Sequence, residues 1–507
     1  MPLAFESVAP RRFATRLQTS SMTRPEREKI SPVDTAWLRM DRPSNLMMIC
    51  GVLLFRERVD FKRLQAVVND RWLRFGRFYQ RPVQELGVAS WETSADFDIN
   101  DHVVQVALPG RAGKRELQRL ISRLACTPLN PARPLWQYHF VDNYRGGSAL
   151  VARVHHCYAD GIALVQVLLS MTDSGADGPP ALPAPLSKKR RRESDDPLSE
   201  LIGPVSGVMK MALNVGSTLI EKGAQLWLEP AKAVALAEQG GALTAEIAKL
   251  ALMGEDSPTR FKGQPGIGKR VAWADPIPLD EVKAVGKALG ASVNDVLLSC
   301  VAGALRGYLV RKGDPTAGVM IRALVPVNLR PPEKAYKLGN RFGVVFLDLP
   351  IGIDNPIERL YAVRANMGEL KGSLQPILTL GLLAAAGAGP KLLQDQLITV
   401  LARNATAVMT NVPGPPQPLY MAGAKVERFM FWVPQSGNVG MGVSILSYNG
   451  EVQFGLITDR KLCPDPEHVI AQFGPEFEKL LLTTLLSPWP RPGDLDPLVA
   501  AAAVGAG

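Results

Sequence analysis

Two adjacent histidines, then an aspartate and a glycine, make His155-His156-Cys157-Tyr158-Ala159-Asp160-Gly161 the stretch of this chain best equipped for chemistry. A neutral imidazole accepts protons near neutral pH. Held within hydrogen-bond reach of an alcohol, it takes the hydroxyl proton as the oxygen attacks an acyl carbonyl. Such a transfer needs no covalent acyl-enzyme. His156 is the candidate base and His155 a candidate support. Asp160 is placed either to orient an imidazole or to pair with an arginine and brace the loop. Gly161 is expected to permit a tight turn.

Three other readings of the same residues stay open at this level. Adjacent histidines can be a satisfied core pair. A His-x-x-x-Asp spacing binds a metal when it lies on a helix, but no third ligand stands nearby and a strand precedes it. His155-x4-Asp160 also fits the dyad of glycerophosphate acyltransferases, although the Glu-Gly-Thr motif of those enzymes is absent.

The elements that must position this stretch are legible on either side of it. Val151 to Val154 reads as a strand delivering the histidines to its end, and Gly161 to Ser170 opens a helix. Trp136 to Asp142 and Ser148 to Val154 read as two strands joined by the turn Asn143-Tyr144-Arg145-Gly146-Gly147. Upstream, Ser31-Pro32-Val33-Asp34 is a helix start. Ile49 to Phe55 is a strand, and Phe61 to Phe75 has helical spacing.

Thr172 to Glu200 carries Gly, Pro, Ser and the basic run Lys188 to Arg192, and reads as a linker. Leu201 to Leu252 reads as two amphipathic helical pieces, suited to a lipid surface or to packing on the protein. Mixed strands and helices return from about Arg270 to Pro488. The expected organisation is a flexible arm (1–30), a first α/β domain (31–175), a linker and helical connector (176–268), a second α/β domain (269–490) and a flexible tail (491–507). Patterned sequence begins only near Ile30, so Met22 is an alternative start.

Lys and Arg number 58 against 48 Asp and Glu in 507 residues, a formal net charge of +10. That bias suits an anionic partner such as a membrane surface or a phosphorylated cosubstrate. The five scattered cysteines, at 50, 126, 157, 300 and 463, form no Cys-x-x-Cys pair and suggest buried free thiols. No uncharged apolar run reaches membrane-spanning length; Pro376 to Pro390 reads as a buried or interfacial helix. No secretory signal is evident.

The His155–Gly161 segment resembles the signature His-His-x-x-x-Asp-Gly of the bacterial wax ester synthase/diacylglycerol acyltransferase family, within the wider CoA-dependent acyltransferases. Further motifs follow in order. Pro134-Leu135-Trp136 resembles the family's Pro-Leu-Trp element. Ser292 to Leu298 resembles its Asn-Asp motif, at Asn294 and Asp295. Thr410-Asn411-Val412-Pro413-Gly414-Pro415 resembles its Ser-Asn-Val-Pro-Gly-Pro, with Thr410 in place of Ser. Pro326 to Arg330 and Gly339 to Gly343 also look like family elements.

The resemblance implies two chloramphenicol acetyltransferase-like α/β domains with mixed sheets and an active-site channel between them. It implies His156 as base, His155 as support and Asp160 as a structural residue. Asn294, Thr410 and Asn411 become candidates for substrate binding or an oxyanion site. Gly161, Pro134, Leu135, Trp136 and Asp295 become structural parts of the motifs. The activity implied is transfer of a long acyl chain from acyl-CoA to a fatty alcohol or diacylglycerol. Acyl-CoA is the cosubstrate, and no other cofactor, metal or nucleic acid is expected. The expected location is the cytoplasm, at the inner face of the membrane or on lipid inclusions. Acylation of a non-lipid or carrier-bound alcohol is the alternative activity, and a non-catalytic lipid-binding protein the alternative class.

Other motifs are discounted. Gly263 to Lys269 fits Gly-x4-Gly-Lys but lacks the following Ser or Thr of a P-loop, and reads as a mobile basic loop suited to lie near a CoA phosphate. No Gly-x-Ser-x-Gly elbow appears. His102, His139 and His468 read as structural or surface residues.

Overall fold

The computed structural model describes residues 27–178, 252–330 and 337–487, together with 246, 249 and 250. Most of the expected arm, the linker with its basic run, the helical connector and the tail lie outside the described residues.

The first half alternates β1 (Arg27–Lys29), α1 (Pro32–Arg39), β2 (Met48–Phe55), α2 (Phe61–Val67), β3 (Gln80–Glu85), β4 (Val88–Thr93), β5 (Val103–Val106), α3 (Lys114–Ala125), β6 (Trp136–Tyr144), β7 (Gly147–His155) and α4 (Gly161–Ser170). The second half runs β8 (Lys269–Trp273), β9 (Ile277–Pro278), α5 (Leu279–Ala288), α6 (Val293–Arg311), β10 (Ile321–Asn328), β11 (Phe342–Leu349), α7 (Pro356–Leu370), α8 (Gln375–Ala388), α9 (Lys391–Arg403), β12 (Ala407–Pro413), β13 (Tyr420–Met421), β14 (Ala424–Trp432), β15 (Met441–Tyr448), β16 (Glu451–Asp459) and α10 (Glu467–Leu486).

Local chemistry explains the boundaries that matter. Ser31 caps α1 by accepting from the Asp34 amide, and Pro32 opens the helix. Arg145 and Gly146, both at positive φ, close the two-residue turn between β6 and β7. The register of that hairpin sets Trp136 opposite Val154. The helix predicted over Phe61 to Phe75 loosens into a π turn at Val68–Trp72.

Three sheets result. Six strands lie in the order β13-β14-β2-β7-β6-β5, and seven more centre on β11-β10-β12-β15-β16-β8 with β9 beside β16. A small sheet, β1-β4-β3, sits apart. Strand β14 belongs to the second half of the chain yet pairs with β2, setting Met430 against Val52. The second domain is therefore not one continuous block over 269–490, because its residues 420–432 complete the first sheet.

Other boundaries also move. Arg27–Lys29 pair with β4 and Ile30 is buried, so the arm cannot extend to residue 30. Asp173 exchanges backbone hydrogen bonds with Tyr420, so the linker starts later than Thr172. Asp256 accepts from the Arg322 amide and the Thr406 hydroxyl, which ties residues near 256 to the second domain rather than to the connector.

Helix α8, predicted as buried or interfacial, packs on α1 and β11. Two glycines permit the approach. A Cβ on Gly387 would meet the Pro32 oxygen at 1.7 Å, and one on Gly343 would meet the Pro376 oxygen at 1.7 Å. Helix α6 is long and apolar enough to cross a membrane by length and composition alone. However, 78% of its apolar window is buried, as in a core helix. Lys269 is not on a free basic loop: its ammonium is buried against Asp459 at 3.2 Å and donates to Asn45 at 2.7 Å.

Candidate active site

The histidines sit where β7 stops. His155 is the last residue of β7, opposite Met48. Its amide donates to the Leu135 oxygen at 2.9 Å, and the His156 amide donates to the Met47 oxygen at 2.7 Å. Leu135 thus fixes the strand end from one side and the chain before β2 from the other. Trp136 is buried and donates its indole N–H to the Phe78 oxygen at 2.8 Å. The Pro134-Leu135-Trp136 element is scaffold for the histidine loop.

His155 is a brace. Its Nδ1 accepts from the Cys157 amide at 3.1 Å, so Nε2 carries the proton and faces Asp41 at 3.2 Å. That places the His155 ring away from Asp160, and no hydrogen bond joins the two among the described residues, which removes the His155-x4-Asp160 dyad. Among the described residues, no group of three or more His, Cys, Asp or Glu could hold a metal ion.

His156 is buried, with its imidazole stacked on Trp37 of α1: ring centroids 4.1 Å apart, planes at 17°. Phe342 closes a second side with its centroid at 5.7 Å. The His156 carbonyl accepts from Asn340 Nδ2 at 2.7 Å. Among the described residues, neither the buried Nδ1 of the ring nor Asn340 Oδ1 has a hydrogen-bond partner. Burial pushes the His156 pKa down to about 4, against a smaller opposing pull from Asp160. The imidazole is therefore neutral at neutral pH, as a general base must be.

Asp160 is buried and works on the loop, not on the ring. One carboxylate oxygen caps α4 through the Ala163 amide at 2.9 Å. The other takes Arg330 Nη2 at 2.6 Å and the Arg341 amide at 3.1 Å. Of the two roles expected, the arginine pair is the one formed. Gly161 begins α4 at ordinary φ, and a Cβ there would meet nothing within 4 Å. The tight-turn reading of Gly161 is thus corrected: the position is open space, not a conformational need.

Asn340 also donates to Asp34 Oδ1 at 2.7 Å, and Asp34 Oδ2 accepts from the Ser31 hydroxyl at the start of α1. The helix carrying Trp37 and the residue holding the His156 carbonyl are therefore joined through one carboxylate. Ser292 and Asp295 form a reciprocal capping box on α6, so Asp295 is structural.

The candidate oxyanion residues divide between two faces. Ala407 and Met409 pack into the core around α6, while Val408 and Val412 pack towards the first half. Side chains alternate along a strand, so Thr410 faces with Val408 and Asn411 with Met409. Asn411 accordingly donates to Asn294 Oδ1 on α6. Thr410 stands in register with Ser444 on parallel β15, giving both hydroxyls one face. Phe342 shares that side, since Val344 and Phe346 pack with Val408. Among the described residues, the Thr410 hydroxyl donates to the Val443 oxygen at 3.4 Å, and the buried Ser444 Oγ has no hydrogen-bond partner. No hydrogen bond joins Asn294 or Asn411 to His156 among the described residues.

Sequence reasoning did not single out Trp37, Ser444 or roles for Arg330 and Asn340. Arg330 and Asn340 stand in noted motifs, but their partners lie 170 and 184 residues away. Ser444 carries one faint signal, a hydroxyl inside an apolar strand. Of the histidines read as structural or surface residues, His102 and His139 are buried, and His102 Nδ1 donates to the Trp136 oxygen at 2.8 Å. Four cysteines are buried and all five are free.

Two family models match in succession, the wax ester synthase/diacylglycerol acyltransferase catalytic domain over residues 30–297 and the C-terminal domain of the same family over 338–481. A protein of Mycobacterium bovis named a putative diacylglycerol O-acyltransferase is 30% identical over 431 residues, 81% of each chain. One of Mycobacterium tuberculosis, similarly named, is 28% identical over 477 residues, 89% of this chain and 99% of its own. Among solved structures, the wax ester synthase/diacylglycerol acyltransferase of Marinobacter aquaeolei superposes with a TM-score of 0.64 at 24% identity, over 90% of this chain and all of that one. The starter condensation domain of rhizomide synthetase does so at 0.54 and 12%, over 92% and 96%. These two likenesses establish a shared two-domain fold.

Proposed function

From the premise that this chain belongs to the wax ester synthase/diacylglycerol acyltransferase family and is an acyltransferase, we propose that it moves a long acyl chain from acyl-CoA to a fatty alcohol or diacylglycerol, with His156 as general base. The observation that carries the reading is the state of His156: buried, neutral, held by its main chain on both sides and stacked on Trp37.

With Nδ1 sealed in the interior, Nε2 is the atom that takes the proton. It removes the hydroxyl proton of the acceptor as that oxygen bonds to the thioester carbonyl carbon. The carbonyl oxygen becomes an oxyanion, and its donors in this reading are the Thr410 and Ser444 hydroxyls on the shared face. The oxyanion then collapses, the C–S bond breaks, and the imidazolium returns the proton to the CoA thiolate. Ester and free CoA leave.

Transfer is direct. Cys157, the nucleophile nearest in sequence, is fully buried, and burial holds its thiol well above the ordinary range, so it stays protonated.

The test incubates purified protein with palmitoyl-CoA and either hexadecanol or a diacylglycerol, and follows thiol release and ester formation. His156→Ala is expected to lose about 10²–10⁴-fold in kcat. Turnover unchanged in that variant sinks the mechanism, and preference for short or carrier-bound acceptors sinks the lipid assignment.

A further inference from the structure

Asp41 stands just after α1 and outside every motif read from the sequence, yet its two carboxylate oxygens lead to the two peptide groups that flank His156. Oδ1 accepts from the Met47 amide at 2.5 Å, and the Met47 carbonyl accepts from the His156 amide at 2.7 Å. Oδ2 accepts from His155 Nε2 at 3.2 Å, and His155 Nδ1 accepts from the Cys157 amide at 3.1 Å. The base is thus held at the amide before its Cα and at the amide after it. Both lines of hydrogen bonds end on one side chain.

The segment that receives His156 is itself fixed. Arg42 and Asn45 exchange backbone hydrogen bonds at 3.1 and 2.9 Å, which closes the chain from Asp41 to Met47 into a tight loop. Asn45 Nδ2 ties that loop to the second half of the chain, at the Gly437 oxygen, 2.7 Å away. The Met47 side chain is buried in an apolar cluster with Met40 and Ile398, and Trp37 packs against that cluster. The loop that seats the base therefore also supports the indole stacked on it.

Only a carboxylate suits both arms. The Met47 N–H is a donor that cannot change. His155 Nε2 must also donate, because Nδ1 already accepts. A carboxylate offers an acceptor to each. A carboxamide offers one acceptor and one donor, so on one arm N–H would face N–H. The backbone arm is the shorter and has no alternative, so the amide nitrogen would turn to His155. The ring then carries its proton on Nδ1, where it confronts the Cys157 amide, and the contact that follows His156 is lost.

We propose that Asp41 is a positioning residue of the active site: its carboxylate fixes the tautomer of His155 and, through Met47 and Cys157, the place from which His156 takes the proton. The proposal rests on the reading of His156 as the base. Asp41 acts through its neighbours and not on the substrate. Its side chain is 41% exposed against 3% for His155, so the brace runs inward from the surface and leaves room for one more methylene at Asp41.

The experiment measures, at a temperature where every variant is folded, turnover of palmitoyl-CoA with hexadecanol or a diacylglycerol and the ring-nitrogen NMR signals of the five histidines. The His155 signal is assigned by its loss in His155→Gln. Wild type should carry the His155 proton on Nε2. Asp41→Asn should move it towards Nδ1 and lower kcat about tenfold with KM for palmitoyl-CoA unchanged, as loss of an alignment felt only in the transition state does. Asp41→Glu should restore the wild-type signal and most of kcat. Arg42→Ala breaks the adjoining ion pair with Asp395 but leaves both arms of Asp41 in place, so signal and kcat should match wild type.

Wild-type kcat in Asp41→Asn, an unchanged His155 signal in that variant, or an equal loss in Arg42→Ala overturns the proposal. If His156→Ala keeps its turnover, the base assignment falls instead, and the His155 signal in Asp41→Asn alone decides whether Asp41 sets the tautomer.

Discussion

The Trp37 indole lies face to face with the His156 imidazole, centroids 4.1 Å apart and planes at 17°. The two residues are separated by most of the first domain in sequence, yet the stack fixes the plane in which the base meets its substrate. It also offers a π face to the imidazolium that forms during transfer. An aromatic pair of this kind contributes about 0.5–1.5 kcal/mol beyond its buried area. Trp37→Leu should therefore lower kcat about 3–10-fold, and Trp37→Phe should restore most of it. Equal rates for Leu and Phe would show that stacking has no part.

The pH dependence has a sign. His156 is held at about 4 by burial, below the unfolded value near 6.5. The basic form is thus present throughout the neutral range, and kcat/KM should stay level from pH 8 down to about 5. An acid limb at the ordinary histidine value would contradict a buried, neutral base.

Stability follows the same linkage. His139 is likewise held at about 4 by burial, and His102 is lowered for the same cause. Between about 6.5 and 4 the unfolded chain binds protons that the folded one refuses. Stability is therefore full above about 6.5 and is lost as pH falls towards 4, by on the order of 3 kcal/mol for His156. Urea midpoints should fall in that window. His139→Phe should lessen the drop, and an unchanged slope would remove His139 from the account.

Asp160 and Arg330 form a buried pair at 2.6 Å that ties the histidine loop to the second domain. Removing one partner of such a pair costs about 3–5 kcal/mol. Asp160→Ala should lower the melting temperature sharply, and Asp160→Asn less, because the amide still caps α4. Activity per folded molecule at low temperature should fall far less than in His156→Ala. A loss as deep as His156→Ala in well-folded protein would make Asp160 a chemical participant.

Strand alternation separates the two sets of polar candidates. Ser444→Ala and Thr410→Val should each lower kcat by roughly 10²-fold, as loss of one oxyanion donor does. Asn294→Ala should change stability with little effect on kcat, because its partner is Asn411 on the opposite face. The reverse pattern, with Asn294 essential and Ser444 dispensable, would place the oxyanion elsewhere.

The residues by themselves determined the acyltransferase signature, the two α/β halves and most element boundaries near the site. These are local properties: the cap at Ser31, the turn at Arg145-Gly146 and the strand before His155 all depend on neighbours within a few positions. The order of the motifs carried the family. What tertiary structure decided is everything that joins distant segments. Strand β14 crossing into the first sheet, Trp37 under His156, Asn340 on its carbonyl and Arg330 on Asp160 each unite residues far apart in sequence. A spacing rule cannot report such contacts. Even adjacent Thr410 and Asn411, one motif in sequence, serve opposite faces, because the pleat of a strand turns neighbours apart.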